Sequence, residues 1–225
     1  MLVIFDCDGV LIDSEIVAAR LEAEAITDLG LPTTADEICT RFAGTTTREV
    51  WATLERELGR PLPPGFFERH LAHVRDVFSR ELEAIPGARR AVETVAGSRI
   101  PYCVASSTHL PSLVNNLGTA GLVDLFDGNV FSASQVKRAK PAPDVFLYAA
   151  CQMGSDPADC LVVEDSIAGV TAARRAGMPV VGFVGGSHVG DGHAERLTAA
   201  GARAIFAHMN ELPAVLAAQG IRVAA

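Results

Sequence analysis

The stretch Leu2-Val3-Ile4-Phe5-Asp6-Cys7-Asp8-Gly9 opens the chain and decides how the rest of it is interpreted. Its four apolar residues predict a strand that is buried on both faces, as in the middle of a parallel sheet. Two carboxylates follow with one residue between them, a spacing that sends both side chains to the same side of an extended chain. Acids at the tip of a buried strand add nothing to its packing, so we expect Asp6 and Asp8 to serve a ligand.

The remaining sequence predicts an α/β protein that is interrupted by a block of helices. Helical periodicity and capping patterns predict four consecutive helices between residues 15 and 82, with Ser14 capping the first and Thr34 the second. Beyond residue 85, strands expected at 101–106, 129–132, 160–163, 180–184 and 204–206 alternate with helices expected at 88–95, 110–117, 144–153, 166–176 and 212–218. This alternation predicts a doubly wound parallel sheet with helices on both faces, to which the first strand also belongs. We therefore expect an α/β core of residues 1–14 and 84–225, and a helical insertion of residues 15–83.

Composition and charge limit the classes of function. With 225 residues, 49% of them hydrophobic, the chain can bury a packed core, and its net charge of −8 argues against a nucleic-acid partner. Its five cysteines are scattered and form no CxxC pair, which predicts free thiols in a reducing compartment. No stretch approaches the roughly 18 apolar residues of a membrane span, and the N-terminus does not resemble a secretory signal. We expect a cytoplasmic monomer that binds neither membranes nor nucleic acid.

Polar side chains follow further predicted strands at positions that can meet Asp6 and Asp8. The carboxyl ends of parallel strands share one edge of the sheet, so these side chains are expected to converge on one crevice. A cluster of acids stays ionised only beside a cation, and oxygen ligands favour Mg²⁺. The residues are Ser106, Lys140 before Pro141, and the pair Glu164-Asp165.

Magnesium, a lysine and a hydroxyl donor together suit a phosphoryl group, because they neutralise and hold its oxygens. One aspartate can then attack phosphorus, while the other protonates the leaving oxygen and later deprotonates water. Ser106 and Thr108 also allow a simpler interpretation, since serine and threonine often cap a helix that follows a strand. The stretch 185–193 is expected to be a glycine-containing loop whose histidines, His188 and His193, lack other ligands nearby.

Residues 5–15 resemble the first motif of the haloacid dehalogenase (HAD) superfamily of phosphatases and phosphomutases. Ser106, Lys140 with its prolines, and Glu164-Asp165 match the second, third and fourth motifs in the right order. The resemblance covers essentially the whole chain and implies a HAD-like, Rossmann-like core with an inserted helical cap. It implies that Asp6 is the nucleophile and Asp8 the general acid and base. It also implies that Mg²⁺ is bound by Asp6, the Asp8 carbonyl and Asp165, with Glu164 adjacent. It further implies that the phosphoryl group is bound by Ser106, Ser107 and Lys140.

The resemblance further implies a Mg²⁺-dependent phosphatase that acts on a small phosphate monoester, either a phosphosugar or a sugar acid phosphate. Residues 78–87 are similar to bacterial phosphatases that act on 6-phosphogluconate and related hexose phosphates. The alternative is a β-phosphoglucomutase-like enzyme, but this chain has Ala18 and Leu110 where those mutases carry a histidine and an asparagine. In related caps the loop before the third helix reaches over the substrate, which implies contacts from Thr47 and Arg48.

Overall fold

The structure, a computed structural model, describes residues 1–42 and 47–222, and only the backbone of Thr47 and Arg48. A six-stranded parallel sheet lies at its centre, in the order β3-β2-β1-β4-β5-β6. Because the chain adds β2 and β3 on one side of β1 and then β4 to β6 on the other, the sheet reverses its order between β1 and β4. Ligands bind at such a switch point in open α/β sheets. The strands are β1 (Leu2–Phe5), β2 (Tyr102–Ser106), β3 (Val130–Ser132), β4 (Cys160–Glu164), β5 (Val180–Phe183) and β6 (Ile205–Phe206).

Helices cover both faces of the sheet, which confirms the predicted doubly wound α/β class. Val3 and Phe5 of β1 are buried with α5, α6 and α10, whereas Leu2 and Ile4 are buried on the other face with α7, α8 and α9. The helices after the cap region are α5 (Ala88–Gly97), α6 (Leu110–Thr119), α7 (Asp144–Gln152), α8 (Ile167–Arg175), α9 (His193–Ala200) and α10 (Leu212–Ala218).

Helix α9 was not predicted. It begins directly after Gly192, which has a φ of 73°, and Leu197 is its one buried residue in the described structure. A helix with one buried apolar residue gives too weak a periodicity to be recognised in the sequence.

Four helices lie between β1 and α5 and pack around their own small core, as the sequence predicted. Trp51 and Leu54 are buried in this core together with Ile26 and Ile38. Thr34 forms the predicted capping box, because its side chain accepts from the Glu37 amide at 3.2 Å. These helices are α1 (Ser14–Asp28), α2 (Ala35–Arg41), α3 (Thr47–Leu58) and α4 (Phe66–Glu81).

The prediction that Ser14 caps α1 was wrong. Asp13 occupies the N-cap position, and the Ser14 hydroxyl instead donates to the Asp8 carboxylate at 2.7 Å. A capping serine lies before the first helical residue and accepts from a backbone amide, whereas Ser14 lies inside α1 and its hydroxyl is a donor to a charged acceptor. The first residue of α1 is thereby hydrogen-bonded to the segment that follows the central strand.

The two connections between core and cap run side by side. The Asp13 amide donates to the Glu83 carbonyl at 3.0 Å, and the Ile85 amide donates to the Leu11 carbonyl at 2.9 Å. The two connections are therefore hydrogen-bonded to each other. None of the helices in the described ranges is long and apolar enough to cross a membrane.

Replacing Ile4 by alanine tests the packing of β1. Ile4 is fully buried between β1 and the α7–α8 layer. We expect Ile4→Ala to lower the free energy of unfolding by about 2–5 kcal/mol, because it leaves a cavity in the core. Val114→Ala on α6, where the side chain is 42% exposed, is the matched control and should change it by no more than about 0.5 kcal/mol. If urea unfolding shows that Ile4→Ala and Val114→Ala lower the free energy of unfolding equally, this account of the core is contradicted.

Candidate active site

Asp6 is the first residue after β1 and lies at the switch point of the sheet. Its amide donates to the Val163 carbonyl of β4 at 2.9 Å, which fixes the backbone at the strand end. Its side chain is buried, and its Oδ1 atom accepts from the Lys140 ammonium at 2.8 Å.

Lys140 joins the ends of three strands. Besides Asp6, its Nζ atom donates to Glu164 Oε1 at 2.8 Å and to the Ala105 carbonyl at 3.1 Å. The ammonium also lies 4.8 Å from the centre of the Phe146 ring. Burial alone would lower the pKa of Lys140, but Asp6 and Glu164 outweigh burial and raise that pKa above its usual value.

Glu164 is fully buried and is bonded through both carboxylate oxygens. Its Oε2 atom accepts from the Ser166 amide at 2.7 Å and from the Ser166 hydroxyl at 2.9 Å. The same hydroxyl caps α8 by accepting from the Gly169 amide at 3.0 Å. A Cβ atom on Gly169 would lie 1.6 Å from Glu164 Oε1, so only glycine leaves room for this carboxylate against the first turn of α8.

Asp8 has different surroundings from Asp6, although only one residue separates them in the sequence. Its Oδ1 atom accepts from Ser14, and its Oδ2 atom accepts from Thr108 at 2.8 Å and from Ser106 at 3.2 Å. His109 holds the N-cap position of α6, so the interpretation of Ser106 and Thr108 as caps of that helix was wrong. The Asp8 carboxylate is thus oriented by three hydroxyl groups, whereas Asp6 faces an ammonium.

Three buried carboxylates form a group that fits a metal ion. Asp6, Glu164 and Asp165 each offer an oxygen, and these atoms lie within 4.8 Å of one another. Burial and the charge of Glu164 raise the pKa of Asp6 and of Asp165 well above the usual value. Lys140 compensates only part of this negative charge, and oxygen donors suit a hard cation such as Mg²⁺. The side chain of Asp8 is not in this group; the resemblance implied its backbone carbonyl instead.

Gly9 brings the backbone close to this group. It has a φ of +74°, in the left-handed region, and a Cβ atom there would lie 1.9 Å from Asp165 Oδ2. The chain can therefore turn away from β1 without displacing Asp165.

Two histidines that the sequence analysis assigned only to a loop lie beside Asp165. His188 Nε2 lies 3.2 Å from Asp165 Oδ2, and His193 Nε2 lies 2.6 Å from the Asp165 carbonyl oxygen. The expectation that neither histidine has a ligand group nearby was therefore wrong. Burial lowers the pKa of His188, and the Ser187 amide next to it donates to Asp13 Oδ1 at 3.0 Å. The signal in the sequence was the position of this loop directly after a strand that ends at the same edge.

The other expected substrate contacts are only partly described. Ser107 is exposed at the same strand end as Ser106. The side chains of Thr47 and Arg48 lie outside the described residues.

The comparisons with known proteins agree with this geometry. The chain matches the family model of haloacid dehalogenase-like hydrolases over residues 3–183. It belongs to that family. A 6-phosphogluconate phosphatase of Escherichia coli (strain K12) is 30% identical over 219 residues, which cover 97% of this chain and 95% of that protein.

Two solved structures resemble this haloacid dehalogenase-like hydrolase along its length. A HAD-like protein of unknown function from Agrobacterium tumefaciens C58 has a TM-score of 0.90 at 39% identity, over 97% of this chain and 98% of that one. A HAD family hydrolase from Deinococcus radiodurans R1, with bound phosphate and sodium, has a TM-score of 0.86 at 30% identity, over 97% of this chain and 96% of that one. The family makes this chain a hydrolase, and its relatives include phosphatases.

Alanine at Gly169 tests the position of Glu164 in this hydrolase. The new methyl group would displace the carboxylate from Lys140 and Ser166, so we expect the free energy of unfolding to fall by about 1–3 kcal/mol. Gly118 of α6 is the matched control, because the nearest atom to a Cβ there is 4.0 Å away. Gly118→Ala should raise stability by up to about 1 kcal/mol, through helix propensity alone. If urea unfolding shows that both substitutions stabilise the protein, Glu164 does not lie where the structure has it.

Proposed function

We propose that this chain is a Mg²⁺-dependent phosphatase that hydrolyses a small phosphate monoester, a phosphosugar or a sugar acid phosphate, through an aspartyl-phosphate intermediate. The observation that carries the proposal is the difference between its two neighbouring carboxylates. Asp6 is buried against Lys140, and Asp8 is held by three hydroxyl groups. The sugar-derived substrate is supported by the name of the E. coli relative.

Asp6 is the proposed nucleophile. Lys140 holds Oδ1 and favours the charged form, which leaves Oδ2 to attack phosphorus. The bond from phosphorus to the leaving oxygen breaks as the bond to Asp6 forms, and Asp8 donates a proton to the leaving oxygen. Asp8 then accepts a proton from water, and the water oxygen displaces the Asp6 carboxylate to release phosphate.

Ser106 and Lys140 are the proposed ligands of the phosphoryl oxygens, together with Ser107. A hydroxyl and an ammonium that are already fixed by the protein can stabilise charge on those oxygens without reorganising. Ser106 is fully buried and Lys140 nearly so, which keeps both side chains in one position. Thr47 and Arg48 remain proposed contacts to the leaving group.

The acidic group is the proposed Mg²⁺ site, with Asp6, Asp165 and the Asp8 carbonyl as ligands and Glu164 adjacent. When bound, the ion would neutralise negative charge on the carboxylates and on the phosphoryl group. Residues 15–83 form the proposed cap domain, whose closure over this site would exclude water during the reaction.

Ala18 bears on the choice between phosphatase and mutase. It lines a cavity that borders the site, at the position where the mutases in the resemblance carry a histidine. Alanine has no group that can transfer a proton, so we propose hydrolysis rather than isomerisation.

Asparagine at Asp6 tests the nucleophile. We expect Asp6→Asn to reduce phosphate release from p-nitrophenyl phosphate by on the order of a thousandfold or more, because the amide cannot attack phosphorus. Circular dichroism should show an unchanged fold. Asp28→Asn, at the exposed end of α1, is the control and should keep the wild-type rate. A wild-type rate in Asp6→Asn would rule out the nucleophile assignment.

Metal removal tests the acidic group. We expect treatment with EDTA to abolish phosphate release and added Mg²⁺ to restore it. Mg²⁺ at about a hundred times its dissociation constant stabilises the folded protein by about 2.7 kcal/mol, so it should also raise the melting temperature by about 5–11 °C. Asp165→Asn should lose that thermal shift. Full activity in EDTA, with no shift in the wild type, would contradict the metal site.

A further inference from the structure

A cavity of about 270 Å³ lies between the cap helices and the proposed phosphoryl site. Ser14 and His188 line it, and these side chains contact Asp8 and Asp165 respectively. Its volume is close to the roughly 300 Å³ of the smallest ligand pockets, which is enough for a group of monosaccharide size. The cavity is therefore in position to hold the part of a substrate that lies beyond the phosphoryl group.

One face of α1 forms the polar wall of this cavity. Glu15, Ala18, Ala19 and Glu22 all line it, and residues three or four apart share one face of a helix. The two alanines leave space, and a glutamate stands at each end of the stripe. The opposite wall is apolar and is formed by Ile38, Phe42, Val50, Val74 and Phe78.

The described lining of this cavity contains two acidic side chains that have no described partner. Glu15 and Glu22 form no ion pair or hydrogen bond with another described residue. The described lining contains no lysine or arginine, and the side chain of Arg48, a proposed contact to the leaving group, lies outside the described residues. His188 lines the same cavity, and its Nε2 atom lies 3.2 Å from Asp165. Among the described residues nothing pairs with these two carboxylates, so a bound ligand can supply the hydrogen bonds that they accept.

We infer that Glu15 and Glu22 select the leaving group: they accept an uncharged polyhydroxylated or an amino-bearing group and reject one that carries a carboxylate. Sugar hydroxyls would donate to the glutamates while the C–H surface of the sugar packs on the apolar wall. A substrate carboxylate would instead be repelled by two like charges in a poorly solvated space. The inference rests on the proposed phosphatase function and narrows its substrate class to phosphosugars. In this respect the chain would differ from the E. coli relative named as a 6-phosphogluconate phosphatase.

The protonation of the two glutamates supplies a pH dependence. Burial raises the pKa of Glu22 to about 7, and burial together with Asp8 and Asp165 raises the pKa of Glu15 to about 7. Both side chains therefore gain negative charge as the pH rises through neutrality. Rejection of a carboxylate should grow in the same range. The other titratable groups of the described lining are Cys39 on α2 and His188.

The test compares kcat/KM for 6-phosphogluconate with kcat/KM for uncharged and amino-bearing esters, at saturating Mg²⁺. The uncharged esters are glucose 6-phosphate, fructose 1-phosphate and sorbitol 6-phosphate, and the amino-bearing ester is glucosamine 6-phosphate. We expect the wild type to prefer the best of these four by about tenfold or more over 6-phosphogluconate, since like charges in contact cost several kcal/mol. The preference should increase from about pH 6 to about pH 8.5.

Glu22→Gln should reduce this preference several-fold, because it removes one of the two negative charges. Glu24→Gln is the matched control: Glu24 is exposed on the same helix, pairs with Arg20 at 3.2 Å and does not line this cavity. It should leave the preference unchanged. Inhibition of the wild type provides a test without a variant, since sorbitol should inhibit the hydrolysis of p-nitrophenyl phosphate more strongly than gluconate does.

Turnover of p-nitrophenyl phosphate separates this inference from the proposed function, because that ester reports the phosphoryl chemistry alone. If it is not hydrolysed in the presence of Mg²⁺, the proposed function fails. If it is hydrolysed, three results would overturn the selection by Glu15 and Glu22. These are 6-phosphogluconate as the best substrate, no turnover of any uncharged or amino-bearing ester, and an unchanged preference in Glu22→Gln.

Discussion

The buried ammonium of Lys140 is the interaction on which the rest of the site depends. It is bonded to Asp6 after β1, to Ala105 in β2 and to Glu164 at the end of β4, so a single charge connects three neighbouring strands. Removing one partner of a buried ion pair costs about 3–5 kcal/mol, because the other charge stays behind uncompensated. Here the loss would leave three carboxylates facing one another. The lysine that is proposed to bind the phosphoryl group is therefore also what allows the acidic group to exist.

Two glycines let this group form at such short range. Gly9 allows the backbone to turn beside Asp165, and Gly169 leaves room for Glu164 against α8. The result is a pair of aspartates with separate environments, one beside a cation and one among hydroxyl groups. Distinct environments are what allow two identical side chains to take different roles in one reaction. The proposed division between nucleophile and proton donor follows from these surroundings rather than from the two residues themselves.

The sequence predicted the features that depend on periodicity and chain order. Alternating strands and helices indicated the doubly wound sheet, and a parallel sheet brings Asp6, Lys140 and Glu164 to one edge whatever the lengths of its loops. The sequence did not predict which of several possible hydrogen bonds a side chain forms, nor the path that a loop takes. Ser14 could accept from an amide of the first turn of α1 or donate to Asp8, and only the folded structure shows which bond it forms. His188 follows β5 in a loop of glycines, whose path toward Asp165 leaves no pattern in the sequence.

The central claim is that a covalent bond forms between phosphorus and Asp6 rather than Asp8. An acyl phosphate is reduced by borohydride to an alcohol with release of phosphate, which would convert the phosphorylated aspartate to homoserine. The most direct measurement is mass spectrometry of the peptide containing residues 1–20 after the enzyme is quenched with borohydride during turnover. The account predicts homoserine at position 6 and unmodified aspartate at position 8. Modification at position 8, or no modification while phosphate is being released, would contradict it.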